Sequence, residues 1–447
     1  MKENKKILDA LQTGLPNTTS VGKVLIIGAG AAGLTAAQIL YKSGVEVQII
    51  EATSCYGGRV LTLTDFATSP VEAGAEEIHG GRTAWADLAE LYKKDLIEHN
   101  DGYIDLFYIE NELWSEIDAY SRQDFANLDL FYDALEEADF EETVGFISLQ
   151  QFLDVIESPA NLRYILEAKL SSSYGASLSK LDARELQTAW RKWQAGEANF
   201  IFEKTGYIEL LQEVCKDVLP FISYEKPVTR LAYSAGKVEA HTPQGNTFEA
   251  DAAILTVSLG VLKKELITFT PPLPAPKLKA IETIGMGEGL KIILKFKEKF
   301  WRNDIKTIYD DGYIADFYPS AKNDEAILTA IVMGDNARYL SNLGEEKAIQ
   351  TALKALDKMF PSNLETGEQN SSMLFEKGIM IDWTTMPFQW GSYSYPSFES
   401  DAARAVLALP TPPLYFAGEA THTNAYFATV HGALETGYRA AKEVLGA

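Results

Sequence analysis

Apolar residues in the first fifty positions follow two periods that predict a strand, a helix and a second strand. Lys23–Ile27 is a short apolar run typical of a buried parallel strand, and residues 45–50 form another such run. Between them, Ala31–Lys42 carries small and apolar residues with a helical period. Together these segments predict a βαβ unit.

The rest of the chain divides into a helical stretch and a stretch rich in strands. Residues 83–193 have a largely helical pattern, whereas residues 228–256 shift to a period of two with glycine-containing turns. Residues 291–296 and 326–333 resemble strands of a second sheet. Residues 1–20 are polar and predict a loose leader with at most one helical turn.

The turn between the first strand and the helix carries a glycine motif. Gly28 allows a tight turn, Gly30 lets the backbone approach a pyrophosphate, and Gly33 permits close packing of helix on strand. The helix start around Ala32 adds N–H groups and the positive end of a dipole. Glu51 ends the second strand, where an acid suits the hydroxyls of a ribose. The segment therefore predicts a dinucleotide site.

Two further segments narrow the dinucleotide to FAD. Gly57 and Gly58 suit backbone approach to a phosphate, with the Arg59 guanidinium nearby as a fixed cation. Near the C-terminus, a short apolar strand ends in Gly418 and Glu419, and a helix start rich in small residues follows. Because these segments lie at opposite ends of the chain, a cofactor contacted by both requires a discontinuous domain with a second domain inserted into it.

In this order, the motifs resemble those of the flavin-containing amine oxidases over nearly the whole chain. The matching segments, besides Glu51, are residues 28–33, 57–59, 74–75, 256–263, 285–291, 383–395 and 415–437. The resemblance implies α/β plus α+β architecture, with a discontinuous Rossmann-like FAD-binding domain and an inserted substrate-binding domain of mixed sheet and helices. The expected boundaries are 21–82, 205–290 and 400–447 for the first domain, and 83–204 and 291–399 for the second.

The resemblance also implies contacts to noncovalent FAD. Glu419 would meet the ribityl–pyrophosphate region, the backbone N–H of Val430 would meet the flavin pyrimidine edge, and Val228 would lie beside the adenine. Monoamine oxidases attach the flavin through a cysteine where Ser392 stands, so no covalent link is expected here. The remaining cofactor contacts expected from the resemblance are Gly58, Arg59, Gly74, Ala75, Glu76, Gly418 and Thr429.

Lys291 is the leading catalytic candidate. It follows a Gly-rich stretch, residues 285–290, at the entry to an apolar strand. In the family, the matching lysine holds a water at flavin N5. A lysine at this position stabilises charge during flavin reduction and assists reoxidation by oxygen. The alternative is an edge-strand lysine that alternates with Lys295 and Lys297.

Trp383 and Tyr393 match aromatic positions that flank the flavin face in the family. Aromatic walls orient an amine nitrogen and exclude water from it, although a stretch rich in Trp and Tyr is also typical of a core. Monoamine oxidases have a second tyrosine where Thr429 stands. The absence of this tyrosine favours a resemblance to polyamine oxidases and histone-lysine demethylases over monoamine oxidases. It also makes Thr429 one of the expected catalytic residues.

Residues 74–80 match a segment that crosses into the substrate cleft. Glu77 stands near the position of a carboxylate-binding arginine in L-amino acid oxidases, and an acid there repels a carboxylate and attracts an ammonium. His79 matches a histidine of several polyamine oxidases, whereas a lone histidine is ordinarily a satisfied surface residue. The favoured reaction is hydride transfer from an amine α-carbon to flavin N5, reoxidation by O2 to H2O2, and imine hydrolysis, with a polyamine or another small amine as substrate.

Three other functions remain open. An L-amino acid oxidase would need a carboxylate clamp, for which Arg82, Arg184 and Arg191 are the nearest candidates. A chromatin demethylase is disfavoured because we expect no room for its partner-binding modules. A flavin-bearing binding protein with little turnover is disfavoured by Lys291 and the residues of the flavin edge.

Composition adds few constraints. A chain of 447 residues predicts two domains, and a net charge of −23 disfavours nucleic-acid partners while suiting cationic substrates or a solvated acidic surface. Cys55 and Cys215 predict neither a disulfide framework nor a metal site, and both are interpreted as packing residues. The apolar stretch 24–39 is shorter than a membrane span needs, so the protein is expected to be cytoplasmic with no membrane partner. Its oligomeric state is left open.

Overall fold

The computed structural model describes residues 2–98, 102–119, 121–140, 145–310, 312–322, 325–363 and 368–447. These residues form sixteen α-helices and 23 β-strands. The helices are α1 (Lys2–Thr13), α2 (Ala31–Lys42), α3 (Ala84–Leu91), α4 (Glu116–Ala119), α5 (Gln123–Glu137), α6 (Leu149–Val155), α7 (Ala160–Tyr174), α8 (Ala183–Lys192), α9 (Tyr207–Cys215), α10 (Leu259–Lys263), α11 (Ala275–Thr283), α12 (Gly334–Leu343), α13 (Glu345–Met359), α14 (Ser371–Leu374), α15 (Ser400–Ala408) and α16 (Val430–Leu445). The strands are β1 (Lys23–Ile27), β2 (Glu46–Ile50), β3 (Thr62–Leu63), β4 (Val71–Glu72), β5 (Ile78–His79), β6 (Leu96–Glu98), β7 (Ile104–Ile109), β8 (Glu112–Ser115), β9 (Asn199–Phe202), β10 (Ile222–Ser223), β11 (Arg230–Ser234), β12 (Lys237–His241), β13 (Thr247–Ala250), β14 (Ala252–Leu255), β15 (Thr268–Thr270), β16 (Gly285–Met286), β17 (Gly289–Phe296), β18 (Ile305–Asp310), β19 (Asp316–Pro319), β20 (Ile327–Met333), β21 (Phe375–Asp382), β22 (Ser394–Tyr395) and β23 (Leu414–Phe416).

A five-stranded parallel sheet with the order β10-β2-β1-β14-β23 brings the two ends of the chain together. Val24 and Ile26 on β1 and Ile254 on β14 are fully buried, as expected of parallel strands covered on both faces. The predicted βαβ unit is confirmed by β1, α2 and β2. Because β1 lies next to β14, and β14 next to β23, this sheet is built from segments that are far apart in the sequence.

Helix α16 packs against α2 at a point where only a small residue fits. A Cβ on Gly437 of α16 would lie 2.3 Å from the carbonyl oxygen of Ala32 on α2. This close approach holds the middle of α16 against the first turn of α2, which follows the N-terminal glycine turn.

The second sheet has seven strands in the order β21-β17-β20-β19-β18-β7-β8. Residues 291–296 and 326–333 were predicted to be strands, and they lie in β17 and β20, which pair antiparallel. The α/β plus α+β fold class is thus confirmed, while the residue boundaries of the two domains stay a prediction.

One prediction from the hydrophobic pattern is wrong. The 1–20 segment is not a loose leader, since Lys2–Thr13 forms a three-turn helix that buries Ile7, Ala10 and Leu11. These apolar residues recur at helical spacing, and the lysines that precede them hid the pattern. The described part of residues 83–193 is largely helical, as predicted, and also contains β7 and β8 at the edge of the seven-stranded sheet.

The apolar stretch 24–39 covers most of β1, the glycine turn and the first part of α2. Within the described ranges, no helix has the length and apolar character needed to cross a membrane. Cys215 is a buried packing residue as predicted, whereas Cys55 is exposed, which corrects its interpretation as a packing residue.

Candidate active site

A cavity of about 970 Å³ is lined by residues of both sheets. This volume lies at the upper end of the range of small-molecule and cofactor sites, roughly 300–1,000 Å³. One end contains the glycine turn and the segment after β23, and the other contains one face of the seven-stranded sheet. The predicted site residues that line the cavity are Gly28, Gly30, Ala32, Glu51, Gly58, Arg59, Gly74, Ala75, Glu76, Glu77, His79, Val228, Lys291, Trp383, Tyr393, Gly418, Glu419, Thr429 and Val430.

The glycine turn has the close contacts that its sequence predicts. Gly28 has a φ of +110°, which favours glycine, and its N–H donates to the carbonyl of Ile50 at 2.9 Å. A Cβ on Gly33 would lie 2.1 Å from the carbonyl oxygen of Gly28, so Gly33 packs the helix onto the turn. A Cβ on Gly30 would meet only the Gly57 carbonyl, at 3.8 Å, which leaves its backbone open to the cavity.

Glu51 is buried at the end of β2 and uses both carboxylate oxygens to order the turn. One oxygen accepts from Ala29 N at 2.8 Å, and the other accepts from the backbone and hydroxyl of Thr53 at 2.9 and 2.8 Å. A carboxylate offers about four acceptor positions and three are used by these bonds, so one ribose hydroxyl can still donate to Glu51.

Arg59 and Glu419 connect the two cofactor motifs through an ion pair of 2.9 Å. Glu419 also accepts from the Ser394 hydroxyl at 2.6 Å and from Ala428 N at 2.8 Å. Burial alone would raise the pKa of Glu419, but the charges of Arg59 and Arg404 outweigh burial, and this pKa lies below its usual value. The carboxylate therefore stays charged and fixes the segment after β23 against Arg59.

Helix α16 begins beside the cavity at Val430, whose N–H lies in the first turn and has no intrahelical partner. Thr429 is the N-cap, and its hydroxyl accepts from Gly432 N at 3.0 Å and donates to the Tyr426 carbonyl at 2.7 Å. The Thr429 side chain thus orients the helix start, where both Thr429 and Val430 line the cavity.

These features fit an FAD molecule. The glycine turn has no room for a side chain at Gly28 or Gly33, and an acid lies at the end of β2. The start of helix α16 lies beside the same cavity. Gly74 and Ala75 lie on the Arg59 backbone, where a Cβ on Gly74 would come within 2.0 Å of the Arg59 carbonyl oxygen. Val228, 9% exposed, lines the same cavity.

Lys291 lies on β17, an interior strand paired on both sides, so it is not an edge-strand lysine. Its ammonium donates to a Glu76 carboxylate oxygen at 2.9 Å and to the Glu72 carbonyl at 3.1 Å. The Tyr318 hydroxyl donates to the same Glu76 oxygen at 2.7 Å. Glu76, predicted as a cofactor contact, therefore lies beside the predicted catalytic lysine.

Trp383 and Tyr393 both contribute to the cavity wall. The Trp383 indole N–H donates to the Ala73 carbonyl at 3.1 Å, and the Tyr393 hydroxyl donates to the Ser172 carbonyl. Gly287 N donates to the Tyr393 carbonyl at 2.7 Å, and a Cβ on Gly287 would lie 2.3 Å from the Gly175 carbonyl oxygen. The glycines before β17 thus allow the close packing that holds Tyr393 in place.

Glu77 and His79 lie together at one side of the cavity. The His79 Nδ1 atom is 3.7 Å from a Glu77 carboxylate oxygen and 3.2 Å from the Asn199 side-chain oxygen. His79 sits on β5, opposite Asn199 of β9, and its side chain is 45% exposed. The structure therefore brings both predicted substrate residues to the cavity.

Asp316 is a site residue that sequence reasoning missed. It lies opposite Ile331, which in turn lies opposite Lys291, so the three share one face of the sheet and all line the cavity. Two strand spacings, about 10 Å, separate the backbones of Lys291 and Asp316. Burial raises the pKa of Asp316 to about 7. An acid inside the otherwise apolar and aromatic run 314–318 was the signal that could have found it.

None of the three arginines considered for a carboxylate clamp lines the cavity. Arg184 donates to the Phe140 carbonyl at 3.0 Å, and Arg191 donates to the Glu136 carbonyl at 2.7 Å. Arg82 lies near Gly196 at the rim. In the described part of the chain, no cluster of three His, Cys, Asp or Glu side chains has the arrangement of a metal site.

Comparison with known proteins agrees with this site. The profile of the family described as flavin containing amine oxidoreductase matches residues 31–445. Polyamine oxidase 4 of Oryza sativa subsp. japonica is 27% identical over 450 residues, covering 94% of this chain and 88% of that protein. Lysine-specific histone demethylase 1 homolog 3 of Arabidopsis thaliana is 27% identical over 492 residues, but the match covers 95% of this chain and only 30% of the demethylase. The cyclohexylamine oxidase from Brevibacterium oxydans IH-35A has the same fold, with a TM-score of 0.79 at 17% identity over 95% of this chain and 99% of that chain.

The fold and the site define an FAD-dependent oxidoreductase with a dinucleotide cradle at one end of the cavity and a separate substrate face at the other. The profile match extends over most of the chain. The protein belongs to the flavin containing amine oxidoreductase family, and its cofactor is FAD.

Proposed function

We propose that this enzyme oxidises small amines carrying two or more ammonium groups, as in diamines and polyamines. The observation that carries the proposal is Asp316, a buried carboxylate on the same sheet face as Lys291. Bound FAD would supply, at N5, the acceptor for a hydride from the carbon alpha to the amine nitrogen, and O2 would then take up the two electrons with two protons to give H2O2. The imine product is hydrolysed to an aldehyde and an amine or ammonia.

The protein residues bind and orient the substrate. Trp383 and Tyr393 form aromatic walls for the reacting carbon and nitrogen, and Thr429 holds the helix start at the flavin edge. Asp316 accepts hydrogen bonds from the second ammonium group, some two strand spacings from Lys291. Glu77, which lies beside His79, adds a negative charge at the side of the cavity that attracts cations.

The L-amino acid oxidase alternative needs a cation aimed at a substrate carboxylate. Arg59 and Lys291 line the cavity, but each forms an ion pair with a glutamate. Lys226 and Lys306 also line the cavity; Lys226 is near Val228 in the sequence, whereas Lys306 lies on the same strand as Tyr309 and is a candidate for such a clamp. The acids Glu77 and Asp316 oppose it, which favours amines over amino acids.

A substrate screen tests this proposal. In a peroxide-coupled assay at about pH 8, di- and polyamines should give kcat/KM values roughly tenfold or more above those of monoamines with the same carbon chain, because a charge-assisted hydrogen bond to a buried group adds about 1.5–3 kcal/mol. L-Amino acids with cationic side chains serve as the comparison that also carries a carboxylate. Activity confined to amino acids, or equal efficiency with monoamines, would contradict the proposal.

Noncovalent attachment of FAD is a separate expectation. Ser392 lines the cavity where monoamine oxidases carry the linking cysteine, and a serine forms no thioether with flavin. Denaturation in acid followed by precipitation should therefore leave all yellow colour in the supernatant, measured by absorbance. Flavin that stays with the precipitated polypeptide after washing in denaturant would show a covalent link elsewhere.

A further inference from the structure

Glu76 lines the cavity and also belongs to a buried cluster of charged side chains. Its side chain is 17% exposed, that of Lys291 is 8% exposed, and both residues line the cavity. Next to them, Lys322 and Glu72 form a second buried pair at 3.4 Å, with side chains 4% and 1% exposed. The two ammonium groups are thus balanced by two carboxylates.

The contacts of Lys291 define the direction of its ammonium. An ammonium has three N–H donors, and two of them are used by Glu76 and by the Glu72 carbonyl. The third is left for a group inside the cavity. Without Glu76, the ammonium would keep a single described acceptor, and the flexible lysine chain would have other rotamers available.

Tyr318 fixes the carboxylate in turn. Its hydroxyl donates to the oxygen that accepts from Lys291, and burial raises the pKa of Tyr318 well above its usual value, so the hydroxyl remains a donor. Burial alone would raise the pKa of Glu76, but the charge of Lys291 and the Tyr318 hydrogen bond outweigh burial, and this pKa lies below its usual value. Glu76 is therefore a charged acceptor held from two strands.

We propose that Glu76 is a positioning residue: its carboxylate, held by Tyr318, keeps Lys291 charged and directs one N–H of the ammonium into the cavity at the flavin. The inference rests on the proposed function in one respect, because both require that Lys291 faces the flavin. The Glu76–Lys291 pair, and not the lysine alone, is then the unit that stabilises charge when O2 takes two electrons from the reduced flavin and, with two protons, becomes H2O2.

The substitution Glu76→Gln tests this proposal. A glutamine side chain at this position keeps the size of the glutamate but leaves the Lys291 ammonium buried without its counter-charge, and burial disfavours an unpaired charge. Flavin reoxidation in E76Q should then fall by about tenfold between pH 6 and pH 9, with a titration that the wild type lacks. The anaerobic midpoint potential of the flavin, plotted against pH, should change slope at the same pH. Dithionite supplies the electrons, so neither result depends on which amine is the substrate.

Other titrating groups around Lys291 are separated by comparing variants. A titration seen in both wild type and E76Q belongs to one of those groups or to the flavin. The charged and titratable groups that face the pair are Glu72, Glu77, Asp316, Tyr318 and Lys322. In the double variant E76Q/K291M, the new titration should disappear from both the rate and the potential.

Two further variants complete the test. The pH profile of E76D should lack the new titration, as in the wild type. The pH profile of Y318F, which keeps the Glu76 carboxylate, should shift toward that of E76Q. Glu213→Gln is the matched control, since it removes the carboxylate from a 2.6 Å pair with Lys94 that does not line the cavity. Superimposable profiles of wild type and E76Q, or a titration that persists in E76Q/K291M, would overturn the proposal.

Discussion

Replacement of Lys291 by Met should leave FAD bound and slow turnover with O2 by roughly a hundredfold or more. Met has a similar length but carries no charge and no N–H donor, so the reduced flavin would lose the positioned cation beside it. Removal of one preorganised electrostatic donor from an active site typically costs a factor of about 10²–10³ in kcat. Stopped-flow measurement of flavin reoxidation, together with the visible spectrum of the bound flavin, gives the result directly.

Lys295→Met is the matched control for that variant. Lys295 lies on the same strand, pairs with Glu376 at 3.5 Å, and does not line the cavity. We expect K295M to bind FAD and turn over at nearly the wild-type rate. Unchanged kinetics in K291M, or an equal loss in both variants, would argue against a role for Lys291 at the flavin.

Replacement of Asp316 by Asn should raise KM for diamines by about 10- to 100-fold at pH 8, because it removes a buried charged acceptor worth about 1.5–3 kcal/mol. The kcat for diamines and both constants for monoamines should change only a few-fold, since the second ammonium is remote from the reacting carbon. The pKa of Asp316 is about 7. The wild-type KM for diamines should therefore rise as the pH falls below about 7, and this rise should be absent in D316N.

Stability gives a second measurement on the same variant. Burial raises the pKa of Asp316 from 3.8 to about 7, so at pH 8 the folded protein holds a charge that the unfolded chain holds more favourably. At pH 8, D316N should unfold at a higher temperature than the wild type. Its free energy of unfolding should be higher by up to about 4 kcal/mol. The gain should decrease as the pH falls through about 7 and vanish near pH 4.

Asp182→Asn serves as the control for D316N. Asp182 is also buried, with a pKa raised by burial, but it caps helix α8 and does not line the cavity. D182N should keep the wild-type preference for diamines. Equal losses for mono- and diamines in D316N would show that Asp316 supports the fold of the site instead of recognising a second ammonium.

The cofactor cradle was largely predictable because its constraints are local. A left-handed φ at Gly28 and the lack of room for a Cβ at Gly33 restrict these two positions to glycine, whatever the rest of the chain does. The apolar runs on either side form strands and a helix for reasons of period alone. Sequence by itself therefore determined the βαβ unit, the dinucleotide and, through the C-terminal segment, FAD.

The substrate end depended on contacts between distant parts of the chain. Glu76 reaches Lys291 across 215 positions and Tyr318 across 242. Asp316 joins the same sheet face only through the registers of β17, β20 and β19, and a shift of one residue in either pairing would turn it away. The packing of α1 likewise needed a partner surface, because a short helix with few caps has little stability alone. Tertiary structure alone decided which acids surround Lys291, since strand register and burial, and not local sequence, determine which charges share a cavity.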